Sequence, residues 1–373
     1  MAKDTKNKIC KAALALFSNN QFEVVSIAEI CRYAQVSNGV YYRYFKNKEE
    51  LLRILIDDFL IQFEKELTDI QGTTIEEKVL RFITIILKVG KEHKQEIAIF
   101  REGQYRLYGY EDTLRKLYIR SAEFVFERTI SEVEYLYIVS GLRFCSTRVL
   151  YNNKIIDPEY IRDFILNGVF PHMDMNINIS NIAEQFNSVF EEEPDSSYEK
   201  LIRCGIFLFG KSGFHKIGVA DITSECRLAV GTFYTYFESK EKFLNTIVLH
   251  IGERTRHYLS KNVHNHGNRL DQEILGIWHF LNYFRNHLEY YSIVREAEFV
   301  GKEVVSQYYD AFEHGYLKNL DSISEEKRIH AANFLIGLSH YTGIEVLHRE
   351  RINDIPRFLV EMSLLLKNGI SFN

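Results

Sequence analysis

The chain reads as an all-α protein made of two tandem units, and three observations lead there. Its four prolines, Pro158, Pro171, Pro194 and Pro356, stand at apparent boundaries and never inside an apolar periodic run. Proline breaks helix interiors, so that placement leaves the runs free to be helices. Apolar residues recur at helical spacing, as in Tyr135, Ile138, Val139, Leu142 and Val149. The chain also repeats itself. One constant offset lays Leu16-Phe17 on Leu208-Phe209, Phe22 on Phe214, Ile30 on Ile222, Tyr44-Phe45 on Tyr236-Phe237 and Leu52 on Leu244, without a gap. A repeat that long describes two copies of one protein fused head to tail.

The elements follow in order. Asp4 or Thr5 caps a first helix that runs through Phe17. Ser26 caps a short second helix with an apolar face of Ile27, Ile30 and Cys31, and Ala34-Gln35-Val36 makes a tight connection. Ser37 caps a third helix, Asn38 to about Phe45, and Asn47 with Glu50 signals the start of a long fourth helix near Lys48. Two short helices joined by about three residues fit a helix-turn-helix, whose second helix enters the major groove of DNA. The second copy repeats this from Ser197, through Val219-Ala220-Asp221-Ile222 and Gly231-Thr232-Phe233-Tyr234-Thr235-Tyr236-Phe237, to a long helix near Lys240. Ser131-Glu132-Val133-Glu134 opens a later helix to about Tyr151, and Ser324-Glu325-Glu326 opens its match. Final helices are expected near 159–169 and 356–367.

Both segments resemble the N-terminal DNA-binding domain of the TetR/AcrR family of bacterial transcriptional regulators. The resemblance rests on Gly39-Val40-Tyr41-Tyr42-Arg43-Tyr44-Phe45-Lys46-Asn47-Lys48-Glu49 and on Gly231-Thr232-Phe233-Tyr234-Thr235-Tyr236-Phe237-Glu238-Ser239-Lys240-Glu241. Motif similarity covers about residues 5–52 and 197–244. It implies two TetR-like units, each a three-helix DNA-binding domain followed by a helical domain for ligand binding and dimerisation. The expected division is 1–52 and 53–176 for the first unit, 177–196 for a linker, and 197–244 and 245–373 for the second. The linker carries Glu191-Glu192-Glu193-Pro194-Asp195, and Ile182, Ala183, Phe186, Val189 and Phe190 space as a short amphipathic helix within it.

By the same resemblance the partner is a double-stranded DNA operator. Asn38, Val40 and Arg43 should face base edges, Tyr41, Tyr42, Tyr44 and Lys48 should meet phosphates, and Ser26 and Ser37 should cap or donate locally. In the second copy the corresponding set is Val230, Thr232, Phe233, Tyr234, Thr235, Tyr236 and Lys240. That copy departs from the pattern: Gly218 replaces Ser26, Ala229 replaces Ser37, Thr235 replaces Arg43 and Glu238 replaces Lys46. It should bind DNA more weakly and prefer a different half-site. The family also implies an unidentified small-molecule effector in each helical domain. Candidate wall residues are Arg101, Tyr105, Tyr108, Trp278, Tyr291, Arg295, Phe299 and Tyr309, with Arg101-Glu102 and Arg295-Glu296 as equivalent positions.

Composition narrows the alternatives. Hydrophobic residues make up 46% of the 373, enough for sizeable cores, and the net charge is −5. Bases nonetheless outnumber acids from Lys3 to Arg53, a small basic footprint on an acidic body. Cys10, Cys31, Cys145, Cys204 and Cys226 are scattered, so they read as small core residues of a cytoplasmic protein, with no disulfide set and no metal site. No cofactor motif, signal peptide or membrane span is read, and no Gly-rich phosphate loop, H-E-x-x-H or G-x-S-x-G appears. The resemblance implies a ligand-responsive transcriptional regulator, most simply a repressor. The rivals are a sensor or scaffold that has kept the fold and lost DNA binding, and an all-α enzyme. Family members are homodimers that place their readers about one DNA turn (~34 Å) apart. Here the simplest arrangement is an intramolecular pseudo-dimer, and the alternative is a homodimer of whole chains.

Overall fold

The computed structural model describes the backbone of residues 2–106, 109–179, 196–264 and 266–370, and among them there is no β-strand. The amphipathic segment expected at 182–190 lies outside the described residues. The first copy comprises α1 (Ala2–Asn19), α2 (Ile27–Ala34), α3 (Asn38–Tyr41), α4 (Lys48–Thr68), α5 (Ile75–Glu92), α6 (Lys94–Arg106), α7 (Tyr110–Phe126), α8 (Glu132–Asn152) and α9 (Pro158–Asn167). The second comprises α10 (Ser197–Ser212), α11 (Val219–Glu225), α12 (Val230–Tyr236), α13 (Lys240–Val263), α14 (Arg269–Asn286), α15 (Leu288–Val300), α16 (Lys302–Leu317), α17 (Glu325–Gly343) and α18 (Ile355–Asn368).

Contacts gather these helices into two compact units. The first unit is Met1–Ser131 with Cys145–Arg162; the second is Glu132–Phe144 with Asp163–Asn373. In the first unit α4 is the hub and packs on α1, α5, α6 and α7. Its inward stripe is Leu52, Ile56, Phe59 and Phe63, spaced as one helix face. Phe59 stacks on Phe63 with ring centroids 6.0 Å apart, and Tyr118 meets Phe63 edge-on. Such aromatic pairs add roughly 0.5–1.5 kcal/mol beyond the area they bury.

In the second unit α13 takes the same place against α10, α14, α15 and α16. One continuous core runs from Leu201 and Phe209 through Phe233, Phe243 and Ile247 to Phe284, Tyr291 and Tyr308. The unit also includes the start of α8 and the end of α9. Tyr137 and Phe164 both pack on Phe334 of α17, and Phe144 meets Tyr309 edge-on at 4.9 Å. Two glycines allow α8 and α17 this approach. A Cβ on Gly141 would run into the Phe334 ring, and one on Gly337 into Phe144. The ends of α9 and α18 answer each other similarly. The Phe170 N–H donates to the Leu366 carbonyl and the Ile370 N–H to the Ile165 carbonyl, both at 2.8 Å. Gly168 and Gly369 turn there with φ of 81° and 69°, a region that costs other residues a steric clash.

Candidate nucleic-acid interface

Each reader begins with its caps. Ser26 and Glu29 form a reciprocal capping box: the Glu29 N–H donates to Ser26 Oγ at 3.2 Å, and the Ser26 N–H donates to Glu29 Oε2 at 2.8 Å. Hydrogen bonds from the Ser26 backbone and hydroxyl hold the Glu29 carboxyl below the usual carboxylate range. Ser37 Oγ accepts from the Val40 N–H at 3.3 Å at the start of α3. The second reader keeps half of this. Asp221 accepts from the Gly218 N–H at 2.7 Å, but glycine has no oxygen to return, and Ala229 leaves α12 without a side-chain cap. The turn itself is the same in both. Gln35 and Arg227, equivalent in the repeat, are left-handed with φ of 56° and 57°. The following N–H closes on the second helix in each case, Val36 on Cys31 and Leu228 on Thr223.

The third helix differs from the expected length in the first copy. It ends at Tyr41, and the chain continues to Tyr44 as tighter turns, with Arg43 donating to Val40 and Tyr44 to Tyr41. In the second copy α12 extends to Tyr236, and Thr235 Oγ1 donates back to the Gly231 carbonyl.

One face of each reader is open. Ser26, Ser37, Asn38, Tyr42 and Arg43 are exposed, with Val40 and Tyr44 half-buried. Val230, Tyr234, Thr235 and Tyr236 are exposed in the second copy, and Thr232 is half-buried. Tyr42 and Tyr234 are the matched pair, at 58% and 57% exposure.

Four expected contacts need correction. Tyr41 and Phe233 are fully buried and belong to the core. The Tyr41 hydroxyl donates inward to the Asn47 carbonyl, and burial pushes its pKa up. Residues 41 and 42 lie about 100° apart around a helix, so only one of two adjacent aromatics can face out. Lys48 and Lys240 also turn inward. Lys48 Nζ donates to the carbonyls of Phe22 (2.6 Å) and Val25 (2.8 Å) and lies 4.3 Å from the Phe22 ring centre. Lys240 Nζ repeats this on Phe214 (3.0 Å), Ile217 (2.9 Å) and the Phe214 ring (4.2 Å). Their donors are taken up by the loop that precedes the helix-turn-helix, so these lysines brace the reader.

That loop has a second support that sequence reasoning missed. The Phe22 N–H donates to both carboxylate oxygens of Glu102 on α6, at 2.9 and 3.2 Å. The Phe214 N–H donates to Glu296 Oε2 on α15 at 2.9 Å. The available signal was the recurrence of Arg-Glu at nearly the same distance from both readers.

A cavity lies behind the second reader. Its wall includes Phe280, Phe284, Tyr291, Tyr308, Tyr309 and Phe312, with Arg295, Ser339 and His340 as polar members. Its volume is about 70 Å³. Of the expected ligand residues, Tyr291, Arg295 and Tyr309 stand in this wall. Trp278 is a buried core residue, a correction with a simple cause: α14 lines the cavity through Gly276, Phe280 and Phe284, and Trp278 lies on another face. Phe299 is half-buried and is not part of the wall. In the first copy Arg101 instead reaches Thr147 at 3.5 Å and lies over the Tyr151 ring. The Tyr105 side chain and Tyr108 lie outside the described residues. Among the described residues no cluster of three His, Cys, Asp or Glu could hold a metal ion, and no helix is long and apolar enough to cross a membrane.

Two helix-turn-helices with the same turn, each built on its own helical body, define a tandem helix-turn-helix protein. Comparison with known proteins sharpens that class. The family model described as bacterial regulatory proteins, tetR family, matches residues 9–55 and again 202–247. The probable HTH-type transcriptional regulator YttP of Bacillus subtilis (strain 168) is 25% identical over 177 residues, which cover 44% of this chain and 84% of that protein. The HTH-type transcriptional regulator HbdR of Aromatoleum sp. (strain CIB) is 32% identical over 75 residues, 20% of this chain and 33% of that protein. Among solved structures, the fatty acid degradation regulator FadR from Bacillus halodurans aligns with 49% of this chain and 100% of its own, at 14% identity and a TM-score of 0.42. The all-α chain thus carries two segments similar to the tetR-family DNA-binding domain in one polypeptide, at residues 9–55 and 202–247.

Proposed function

We propose that this chain is a ligand-responsive transcriptional repressor that reads an asymmetric operator with two non-identical readers. The observation that carries this reading is the paired open face, Asn38, Tyr42 and Arg43 in one copy and Val230, Tyr234 and Thr235 in the other, set on the same braced turn. Asn38, Val40 and Arg43 are assigned to base edges, and Tyr42 and Tyr44 to phosphates. In the second copy Val230, Thr232 and Thr235 face bases and Tyr234 and Tyr236 phosphates. The effector is a molecule with an apolar, ring-sized body and a polar end directed to Arg295 and His340, matching the cavity wall. Gly276 lines that cavity, and a Cβ added there meets nothing within 4 Å, so a side chain at this position starts in open space and Gly276→Leu should occupy the cavity. Duplexes selected from a random pool by the wild-type chain test the first half of the reading. A chain that shifts no duplex is not a DNA-binding repressor. A Gly276→Leu chain that binds the selected duplex more weakly than wild type, and shows no further release with an apolar ligand that releases wild type, supports the second half. Equal release would refute it.

We further propose that the chain is an intramolecular pseudo-dimer. Aligned on Ser131 and Ser324, Gly141 corresponds to Phe334 and Phe144 to Gly337. Yet Gly141 packs against Phe334, and Phe144 against Gly337. Equivalent positions thus meet each other, the pattern of a twofold interface. At each such position one copy supplies a ring and the other a glycine. Pairing of like copies would set Phe against Phe at one contact and leave a void at the other. Overpacking of that kind costs about 1–3 kcal/mol. The full chain should sediment as a monomer while still binding its duplex. Gly141→Phe should destabilise it, and adding Phe334→Gly should restore much of the loss. An obligate two-chain particle, or a swap without rescue, would refute the arrangement.

A further inference from the structure

The loop before each helix-turn-helix is gripped from two sides. From within the reader comes a lysine, Lys48 or Lys240, on the phenylalanine carbonyl. From outside comes a carboxylate, Glu102 or Glu296, on the N–H of the same phenylalanine. The phenylalanine peptide is therefore where the helical body holds the reader, and both copies carry the device. In the second copy the helix that supplies the carboxylate also builds the cavity. Tyr291, Val294 and Arg295 of α15 stand in the wall, and Glu296, the next residue, points to Phe214. Adjacent residues on a helix diverge by about 100°, so one rigid helix presents a wall on one face and a grip on the next. The grip is short and charge-assisted, and a hydrogen bond of 2.9 Å is lost when its partners part by about 1 Å. Gly213 makes room for it: with φ of 82° it carries no Cβ, and a Cβ there would lie 3.3 Å from Glu296 Oε1.

We propose that Glu296 is a positioning residue that couples the cavity to the second reader, with Arg295 as its neighbour in the wall and Glu102 holding the first reader in the same way. This rests on the reading of the cavity as the effector site. A ligand against Arg295 and Tyr291 shifts α15, α15 carries Glu296 with it, and the Phe214 peptide and the turn behind it lose their outer support.

A double-mutant cycle tests the coupling in the full chain without the ligand. Gly276→Leu stands in for an occupied cavity, and Glu296→Ala removes the grip. The readout is amide hydrogen exchange of the loop at 213–217, with that at 21–25 as the internal control. Glu296→Ala should speed exchange at Phe214 by about tenfold, the worth of one hydrogen bond to a charged group, and leave the first loop unchanged. Glu102→Ala should do the reverse. Gly276→Leu should speed exchange at 213–217 by about fivefold in the wild-type background and add nothing once Glu296 is alanine. Glu296→Gln, which keeps an acceptor oxygen, should remain within about threefold of wild type, which separates loss of the grip from misfolding. Additive effects of Gly276→Leu and Glu296→Ala would overturn the coupling, as would exchange at Phe214 that ignores Glu296→Ala. Exchange does not depend on DNA, so a chain that shifts no duplex would defeat the proposed function while this cycle still decides the link.

Discussion

Lys48 and Lys240 perform the same task in the two readers; Arg43 and Thr235 do not. The comparison divides each reader into a frame and a face. The frame is duplicated closely: a left-handed residue at the turn (Gln35, Arg227), a buried ring beneath it (Tyr41, Phe233), a lysine on two loop carbonyls and a carboxylate on the loop N–H. The face has drifted. Arg43 is answered by Thr235, Lys46 by Glu238, and the capping oxygens of Ser26 and Ser37 by Gly218 and Ala229. Buried groups are coupled to many neighbours, and losing one strands its partners. Exposed groups answer to the ligand alone. The second copy therefore keeps the frame and differs in the face.

The largest expected difference between the copies is at the base edges. Arg43→Ala should cost about 1–3 kcal/mol against the preferred duplex and relax preference at one base pair, as loss of a bidentate guanine contact does. Thr235→Ala should change affinity by under about 0.5 kcal/mol, because its hydroxyl is engaged by the Gly231 carbonyl. Binding to a panel of duplexes with each base pair varied in turn measures both. Equal losses, or an Arg43→Ala loss spread evenly over all sequences, would mean that the faces do not differ as assigned.

A smaller difference lies in the caps. Ser37→Ala removes the oxygen that satisfies the Val40 N–H and should cost about 1 kcal/mol. Ala229→Ser, the reverse change in the other copy, should stabilise α12 by a similar amount. Urea midpoints at unchanged m-value report both. If Ala229→Ser does nothing, the start of α12 is satisfied in some other way and the copies are more alike than their caps suggest.

How much of this the chain announces can be seen residue by residue. The repeat, the helices and the cap at Ser26 were legible because they depend on local spacing and local chemistry. Three features were not. That Tyr41 is inside and Tyr42 outside depends on the phase of a four-residue helix against α2. That Lys48 braces a loop depends on a contact with Phe22 and Val25, far back in the chain. That Arg295 and Glu296 serve different masters depends on which way α15 is turned. Each is a matter of side-chain direction set by tertiary packing, and a one-dimensional pattern carries residue type without direction.

A last predicted difference separates the halves by acid. Burial, aided by the charge of His266, pushes His279 down to about 4, and burial with Arg295 beside it lowers His348 too. Both histidines belong to the second unit. In the unfolded chain each titrates near 6.5. Between that value and the folded one, the unfolded state holds more protons, so stability rises with pH across this window. The contribution of His279 is fully present above about pH 6.5 and is lost as pH falls toward 4. Solvent reaches part of the ring, which tempers the effect. Amide exchange at pH 7.5, 6 and 5 should show the second unit loosening before the first, and His279→Gln should flatten that dependence. If both units loosen together, or the variant keeps the wild-type profile, acid sensitivity arises elsewhere and the two halves are not distinguished by their histidines.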